Sequence, residues 1–389
     1  MNKFIVSGIG PSNGGVGRLM YSLSEMGREK GYQIITKRNE VSLKKLFKDR
    51  MIIRLLMEPI IRLGASILFS FKVASLKHSV ILFVHPQFAG YPLLFRLLKS
   101  RNKVFLYVMD NSFFCIESYN YDRLNKHECL KCVASINSCY DFCKPFPNKK
   151  LSKSTNLNYL KILREMNHKI IFLAQNENQK KLISEHFGID CKVKVVGMDT
   201  GEFSGPNVGY EKKETIKYDI VFHGSTVYAK GIEFFVDLSI NLPEFIFFVP
   251  DSKANVERLL AQKISNKNIH FVDCNWETGL KSIVTNASLV LVPSLWSAPI
   301  EGALIKSILI NGNVGVIKSL YGYASEIAQE AQLLVLENNI KNASKKIQQF
   351  LSKKNYSTIK QKEWTAEFLR TNKLNNLFNL IDIEVRLNP

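Results

Sequence analysis

Short, continuous apolar runs recur along the chain, separated by stretches in which apolar residues return at helical spacing. In the first half the runs are Phe4–Val6, Val80–Val84, Val104–Val108, Ile170–Leu173 and Val193–Val196. In the second half they are Asp219–Phe222, Phe245–Val249, Ile269–Val272, Ser288–Val292 and Val314–Ile317. These runs lack the alternation of a half-exposed strand, so they fit parallel strands covered by helices on both faces. Strand–helix alternation twice over predicts two doubly wound α/β domains, residues 1–200 and 218–389. Between them, residues 201–217 hold Gly201, Gly205, Pro206, Gly209 and a charged EKKET run, which is the composition of a linker. The tail Lys345–Leu387 reads as helical, and its last helix is expected to pack back on the first domain. Two hinged domains of this kind hold a ligand in the cleft between them, at the carboxyl ends of strands from both sheets.

Composition narrows the class of ligand. Fifty-three Lys+Arg against 34 Asp+Glu leave a formal charge of +19, which favours an anionic partner: nucleic acid, acidic lipid or a phosphorylated substrate. The basic residues are interleaved with aliphatic ones and form no aromatic-rich recognition module, so nucleic acid is not the expected partner. Between Lys44 and Lys103, twelve Lys and Arg, Arg54, Arg62 and Lys72 among them, face only Asp49 and Glu58 and alternate with Leu56, Ile60, Leu63, Ile67 and Phe71. That mixture suits a helix lying on anionic lipid, and equally a core helix with a basic edge. The apolar start Phe4–Ile9 is short and runs into glycines, so no secretory signal is read, and no run is long enough to span a bilayer. Seven cysteines, five of them between Cys115 and Cys143, fit a reducing cytoplasm better than a disulfide scaffold. The expected location is cytoplasmic, at the inner face of the cell membrane if the basic segment docks there.

Two segments look built for phosphate. Leu291–Ile317 reads as a buried strand, a loop with Pro293, Ser294 and Trp296, a helix opening near Ile300, Glu301 and Gly302, and a second buried strand. The first amides of such a helix have no intrahelical partner and invite an anion. Near the start, Gly8-Ile-Gly10-Pro-Ser-Asn-Gly14-Gly15-Val-Gly-Arg18 follows a strand and opens a helix. Asn13 replaces the third glycine of a dinucleotide fingerprint, and no Lys follows Gly15 as a Walker loop requires. A glycine-rich turn with exposed amides and one arginine remains, as does a purely structural tight turn.

Other candidates sit at strand ends. Asp110, after Val104–Val108, and His85, after Val80–Val84, stand at strand carboxyl ends, where a ligand in the cleft would lie; a loop-capping carboxylate and a satisfied loop histidine are the structural readings. Cys129-x2-Cys132 and Cys139-x3-Cys143 have a spacing that can wrap one structural zinc, the alternative being four free thiols in a lid loop.

Together these segments resemble the retaining glycosyltransferases of the GT-B fold, the large family four. The resemblance implies that the Gly14–Arg18 loop faces a donor sugar diphosphate. It pairs Val221-Phe-His-Gly224-Ser225-Thr-Val-Tyr-Ala-Lys230-Gly231 with that family's FVGR…KG segment, so Lys230 is kept while Ser225 stands in the place of a phosphate-binding Arg. The family's E-P-F-G-x4-E-A has lost both carboxylates here, which fall on Ala298 and Lys306 or on Pro299 and Ser307. Glu301 with Lys306 is then a variant solution for phosphate or ribose. Glu326 matches a later Glu that lines the donor cleft, and Met109 replaces a His that relatives often place before the acidic residue corresponding to Asp110. The implied activity is metal-independent, hexosyl-type transfer from a nucleotide-sugar donor to a glycan or lipid-linked acceptor. Its setting would be capsule or O-antigen synthesis, with Asp110, Lys230 and Glu301 at the reacting centre and no cofactor beyond the structural zinc. The competing reading is a two-domain sensor that closes on a small phosphorylated ligand without turnover.

Overall fold

The computed structural model describes residues 1–12, 15–39, 47, 50–147, 151–199, 218–353 and 359–387, so Gly14 and the linker 201–217 lie outside the described residues. The first lobe carries β1 (Asn2–Ser7), β2 (Tyr32–Thr36), β3 (Ser79–Val84) and β4 (Lys103–Tyr107). It continues with a short hairpin, β5 (Tyr121–Asp122) and β6 (His127–Glu128), then β7 (Ile170–Ala174) and β8 (Lys192–Val195). The second lobe carries β9 (Ile220–Phe222), β10 (Phe247–Val249), β11 (Ile269–Phe271), β12 (Leu289–Val292), β13 (Val314–Ile317) and β14 (Leu334–Leu336). Outside the hairpin every strand pairing is parallel, in two six-stranded sheets ordered β2-β1-β3-β4-β7-β8 and β11-β10-β9-β12-β13-β14.

Each predicted run falls on a strand, and the central strands β3, β9, β12 and β13 are buried along their whole length. The reading missed β2 and β14. Both are edge strands, but so are β8 and β11, which the reading found although they are no better covered, so exposure alone does not account for the miss.

Strand order reverses between β1 and β3 in the first sheet and between β9 and β12 in the second, and the crevice of such a sheet opens at that reversal. One apolar core runs without a break from Ile5, Leu82 and Tyr107 of the first lobe through Ile300, Leu304 and Val316 of the second. The helix Leu374–Leu387 completes it from the first-lobe side: Phe378 meets Tyr32 at 5.1 Å, Lys3 pairs with Asp382 at 2.8 Å and Lys194 with Glu384 at 2.8 Å. The helix Ile52–Ala74 lies on the surface of the first lobe, with Glu58, Phe69 and Val73 turned inward.

Candidate active site

Lys230 is positioned by the turn that follows β9. Residues Tyr228–Lys230 form one 3-10 turn, and Gly231 then takes φ +78° to start the helix Ile232–Asn241. A Cβ at Gly231 would sit 2.1 Å from the Pro293 carbonyl oxygen, so glycine is required both for its torsion and for the close approach. The Leu295 amide donates to the Ala229 carbonyl at 2.8 Å, which fixes the β9 and β12 loops to each other at the reversal point.

The Lys230 ammonium, 14% exposed, pairs with Glu301 and lies 4.9 Å from the Trp296 ring centroid and 5.5 Å from that of Tyr119. Burial pulls its pKa down to about 7, and the Glu301 carboxylate is the counter-charge that favours the ammonium form. Glu301 is the residue before the helix Gly302–Ile310, and its side chain makes no capping bond there. It faces Lys230 instead, leaving the helix's first amides to another acceptor.

A second cationic group crosses the cleft. Arg18, in the first turn of Gly15–Glu29, reaches the second lobe and pairs with Glu277 at 3.1 Å. Lys306 lies 4.8 Å from the Trp276 ring, and burial together with the nearby Arg18 charge lowers its pKa to about 8. Trp276 stacks on His223 at 5.2 Å and 5°. Ser307 Oγ donates to the Ala303 carbonyl at 2.8 Å, so it accepts from His223 Nδ1–H, also at 2.8 Å. Burial, reinforced by Lys306, drops the His223 pKa to about 3 and keeps the ring neutral.

On the first-lobe side, Asp110 is held by Gln87 Nε2 at 2.8 Å and by the Ser112 amide at 3.0 Å. Beside it His85 is 4% exposed in a left-handed conformation, φ +60°. Gln87 lies close enough to favour its protonated form, yet neither ring nitrogen meets hydrogen-bond geometry with any partner. Burial outweighs both Asp110 and Gln87 and lowers the His85 pKa.

The remaining expected residues are placed as follows. Gly15 is exposed at the helix start, Gly224 and Ser225 form the turn after β9, and Ser294 is buried with an unpartnered hydroxyl. Ile300 and Glu326 line a cavity of about 310 Å³ between the lobes, together with Gln175, Tyr323 and Asn372. Lys230 and Arg18 lie outside that cavity. The Glu326 carboxylate accepts from Asn176 Nδ2 at 2.7 Å and the Asn178 amide at 2.6 Å, capping the first-lobe helix Glu177–Phe187. Among the described residues no group of three or more His, Cys, Asp or Glu is arranged to hold a metal ion. Of the insert thiols, Cys139 interacts with both Cys132 and Cys143, and the contact with Cys132 raises Cys139 to about 11.

Sequence reasoning missed the strap that the cysteine-rich insert throws across the cleft. Asn111 Nδ2 donates to the Ser297 carbonyl at 2.9 Å, Asn120 Nδ2 to Ser297 Oγ at 2.8 Å, and Ser297 Oγ to Glu128 at 2.6 Å. Glu128 also accepts from the Leu320 amide, and Tyr119 packs on Trp296 at 4.4 Å. The first lobe thereby grips the loop that presents Glu301 to Lys230. Glu277 alone of the missed residues had a local signal, since Asn275-x-x-Thr278 around it is a capping box.

This arrangement of two facing doubly wound lobes is the GT-B fold. A sucrose-phosphate synthase from Thermosynechococcus elongatus superposes with a TM-score of 0.64 at 11% identity, covering 100% of this chain and 99% of that one. The Anabaena protein HepE, solved in complex with UDP, superposes at 0.61 and 10%, covering 99% and 100%. An alpha,alpha-trehalose-phosphate synthase (UDP-forming) from Burkholderia vietnamiensis gives 0.57 and 11%, covering 99% and 100%. No protein-family model matches the sequence, nor does any curated protein sequence.

Proposed function

We propose that the protein is a retaining glycosyltransferase that moves a hexosyl-type sugar from a nucleotide-sugar donor to a glycan or lipid-linked saccharide in cell-surface polysaccharide synthesis. The observation that carries this reading is Lys230: a buried ammonium beside the open amides of Gly302–Ile310, at the reversal point of the second sheet. Similar folds include one solved with UDP and two synthases whose names specify sugar phosphates. A uridine nucleotide is therefore the first donor to test.

In this reading the donor diphosphate takes the Lys230 ammonium from Glu301, and Glu301 turns to a ribose or sugar hydroxyl. When the anomeric C–O bond breaks, negative charge collects on the leaving phosphate. Lys230, Arg18, Lys306 and the helix amides stabilise it as fixed charges, the role a divalent ion would otherwise fill. The acceptor hydroxyl attacks from the same face, its proton passing to the leaving phosphate oxygen, so the anomeric configuration is kept and no protein base is needed. Asp110 and His85 orient acceptor or sugar hydroxyls.

A thermal-shift panel of UDP, GDP, CMP and dTDP with their sugars identifies the donor, because a ligand of the native state raises its melting point. With that donor, Lys230→Ala is expected to lower kcat/KM by about 100-fold or more, roughly the loss of one transition-state charge contact. Turnover close to wild type in that variant would discard the phosphate role. Nucleotide binding with no transfer to any acceptor would favour the sensor.

A further inference from the structure

We propose that the outward face of the helix Ile52–Ala74 docks on an anionic lipid bilayer, the helix lying in the headgroup plane. This goes beyond sugar transfer and stands whether or not the chain performs it.

The helix buries one charge, beside Phe69 and Val73, and leaves most of its apolar residues outside. Its inward face carries a charged group: Glu58 has no exposed surface and is paired with Arg38 and Arg62, both at 3.2 Å. Burial opposes that carboxylate's charge, but the two arginines outweigh it and hold its pKa below the ordinary range. Its outward face is apolar. Ile53 is 81% exposed, Leu56 70%, Ile60 65%, Leu63 64%, Ile67 60% and Phe71 73%. These positions step by three and four residues, so they form one continuous stripe rather than scattered exposures. Ile52, Met57, Ile61 and Leu68 are also exposed and widen it to about half of the helix circumference at 100° per residue. A monomer in water rarely leaves so large an apolar patch uncovered.

Charge selects the occupant. Arg54 and Lys72 flank the stripe, and Lys77, Arg96, Lys99 and Arg101 are exposed beyond its far end, where Arg96 donates to the Ala74 carbonyl at 3.1 Å. Among the described residues 50–78 the single carboxylate is the buried Glu58. A second copy seated on this face would oppose cation to cation, and the stripe is broader than a coiled-coil seam, with no acidic residue to pair across it. Anionic headgroups satisfy the cations while acyl chains cover the stripe. No helix among the described residues is long and apolar enough to cross a membrane, so the helix rests on the bilayer and does not span it.

Placement gives the docking a use. Arg38 and Asn39 follow β2 at its carboxyl end, and Asn39 bonds the Gly10 amide at 2.9 Å and the Pro11 carbonyl at 2.8 Å in the loop after β1. The Arg38–Glu58 pair therefore sets the first half of the helix beside the mouth of the cleft, where an acceptor held in the bilayer would enter.

The test is co-sedimentation of the full chain with vesicles. It should pellet with phosphatidylcholine vesicles containing phosphatidylglycerol, less as salt rises, and little with phosphatidylcholine alone. Ile53→Glu, Leu56→Glu and Ile60→Glu combined should weaken vesicle binding at least ~10-fold, since each substitution places a charge in the apolar layer. The same variant should keep the wild-type far-UV melting curve, because those side chains touch solvent. Charge reversal by Arg54→Glu with Lys72→Glu should weaken binding to the anionic vesicles independently. Failure of the wild-type chain to pellet, unchanged pelleting of these variants, or a dimer by light scattering that the triple variant dissociates would overturn the proposal. The UDP thermal shift is read separately, so loss of the donor reading is distinguishable from loss of this one.

Discussion

Lys230, His223 and His186 are ionisable groups whose charge state is set by burial. The two histidines have their pKa lowered to about 3, His186 by burial with a smaller push from Arg164, His223 by burial with Lys306. Both are therefore neutral in the fold at neutral pH, whereas the unfolded chain would protonate them below about 6.5. Their contribution to stability is complete above that pH and is lost as pH falls toward 3. At pH 5.5 the loss is about 1.4 kcal/mol per histidine. Urea unfolding at pH 7.5 and 5.5 measures it, and His186→Phe, placed among Phe113, Phe114 and Phe187, should flatten the difference by about that amount. At this scale the sequence singled out Arg18, Lys230, Glu301 and Lys306, and the structure pairs Lys230 with Glu301 and sets Arg18 near Lys306. Tyr119, Glu128 and His223 stayed hidden because their roles are made by neighbours far along the chain: Asn120 and Ser297 are 177 positions apart.

The hairpin β5–β6 shows what an element adds to such groups. It has two residues per strand, too few to fold alone, and it is held by what it touches in the other lobe. Glu128→Ala removes an acceptor for Ser297 Oγ and for the Leu320 and Tyr321 amides. The expected cost is about 1–2 kcal/mol to the contact between the lobes, read in the proposed transfer reaction as a roughly tenfold fall in kcat/KM with little change in melting temperature. A fall in melting temperature with unchanged kinetics would make the hairpin a structural brace only. Gly231→Ala should do the reverse, lowering stability first, because a Cβ there meets the Pro293 carbonyl in a left-handed backbone. Strands were legible where helices cover both faces, as in β3 and β12. At the edges legibility was mixed: β8 and β11 were read, while β2 and β14 were not. The insert's cysteines suggested its existence but not its partners.

At the level of the whole molecule, two lobes share one core. Ile5, Leu82, Ile300, Val316 and Phe378 belong to the same contiguous cluster, and Glu326 caps a first-lobe helix. Independent domains would unfold in separate steps; a shared core predicts a single calorimetric transition. Two resolved transitions would show that the lobes part before either melts. The duplicated architecture was readable from periodicity alone, while the closed arrangement was not, because it depends on pairs such as Arg18–Glu277 that no local pattern records.

The helix Leu374–Leu387 gives this architecture a temporal dimension. Its Leu377, Phe378 and Ile381 seal the side of the first lobe, yet a ribosome delivers them after every strand of both sheets. The first lobe therefore emerges with Tyr32 and Leu23 uncovered and waits through the synthesis of some two hundred residues for its lid. During that interval the nascent chain presents an open apolar seam, the natural place for a chaperone to bind and for misassembly to begin.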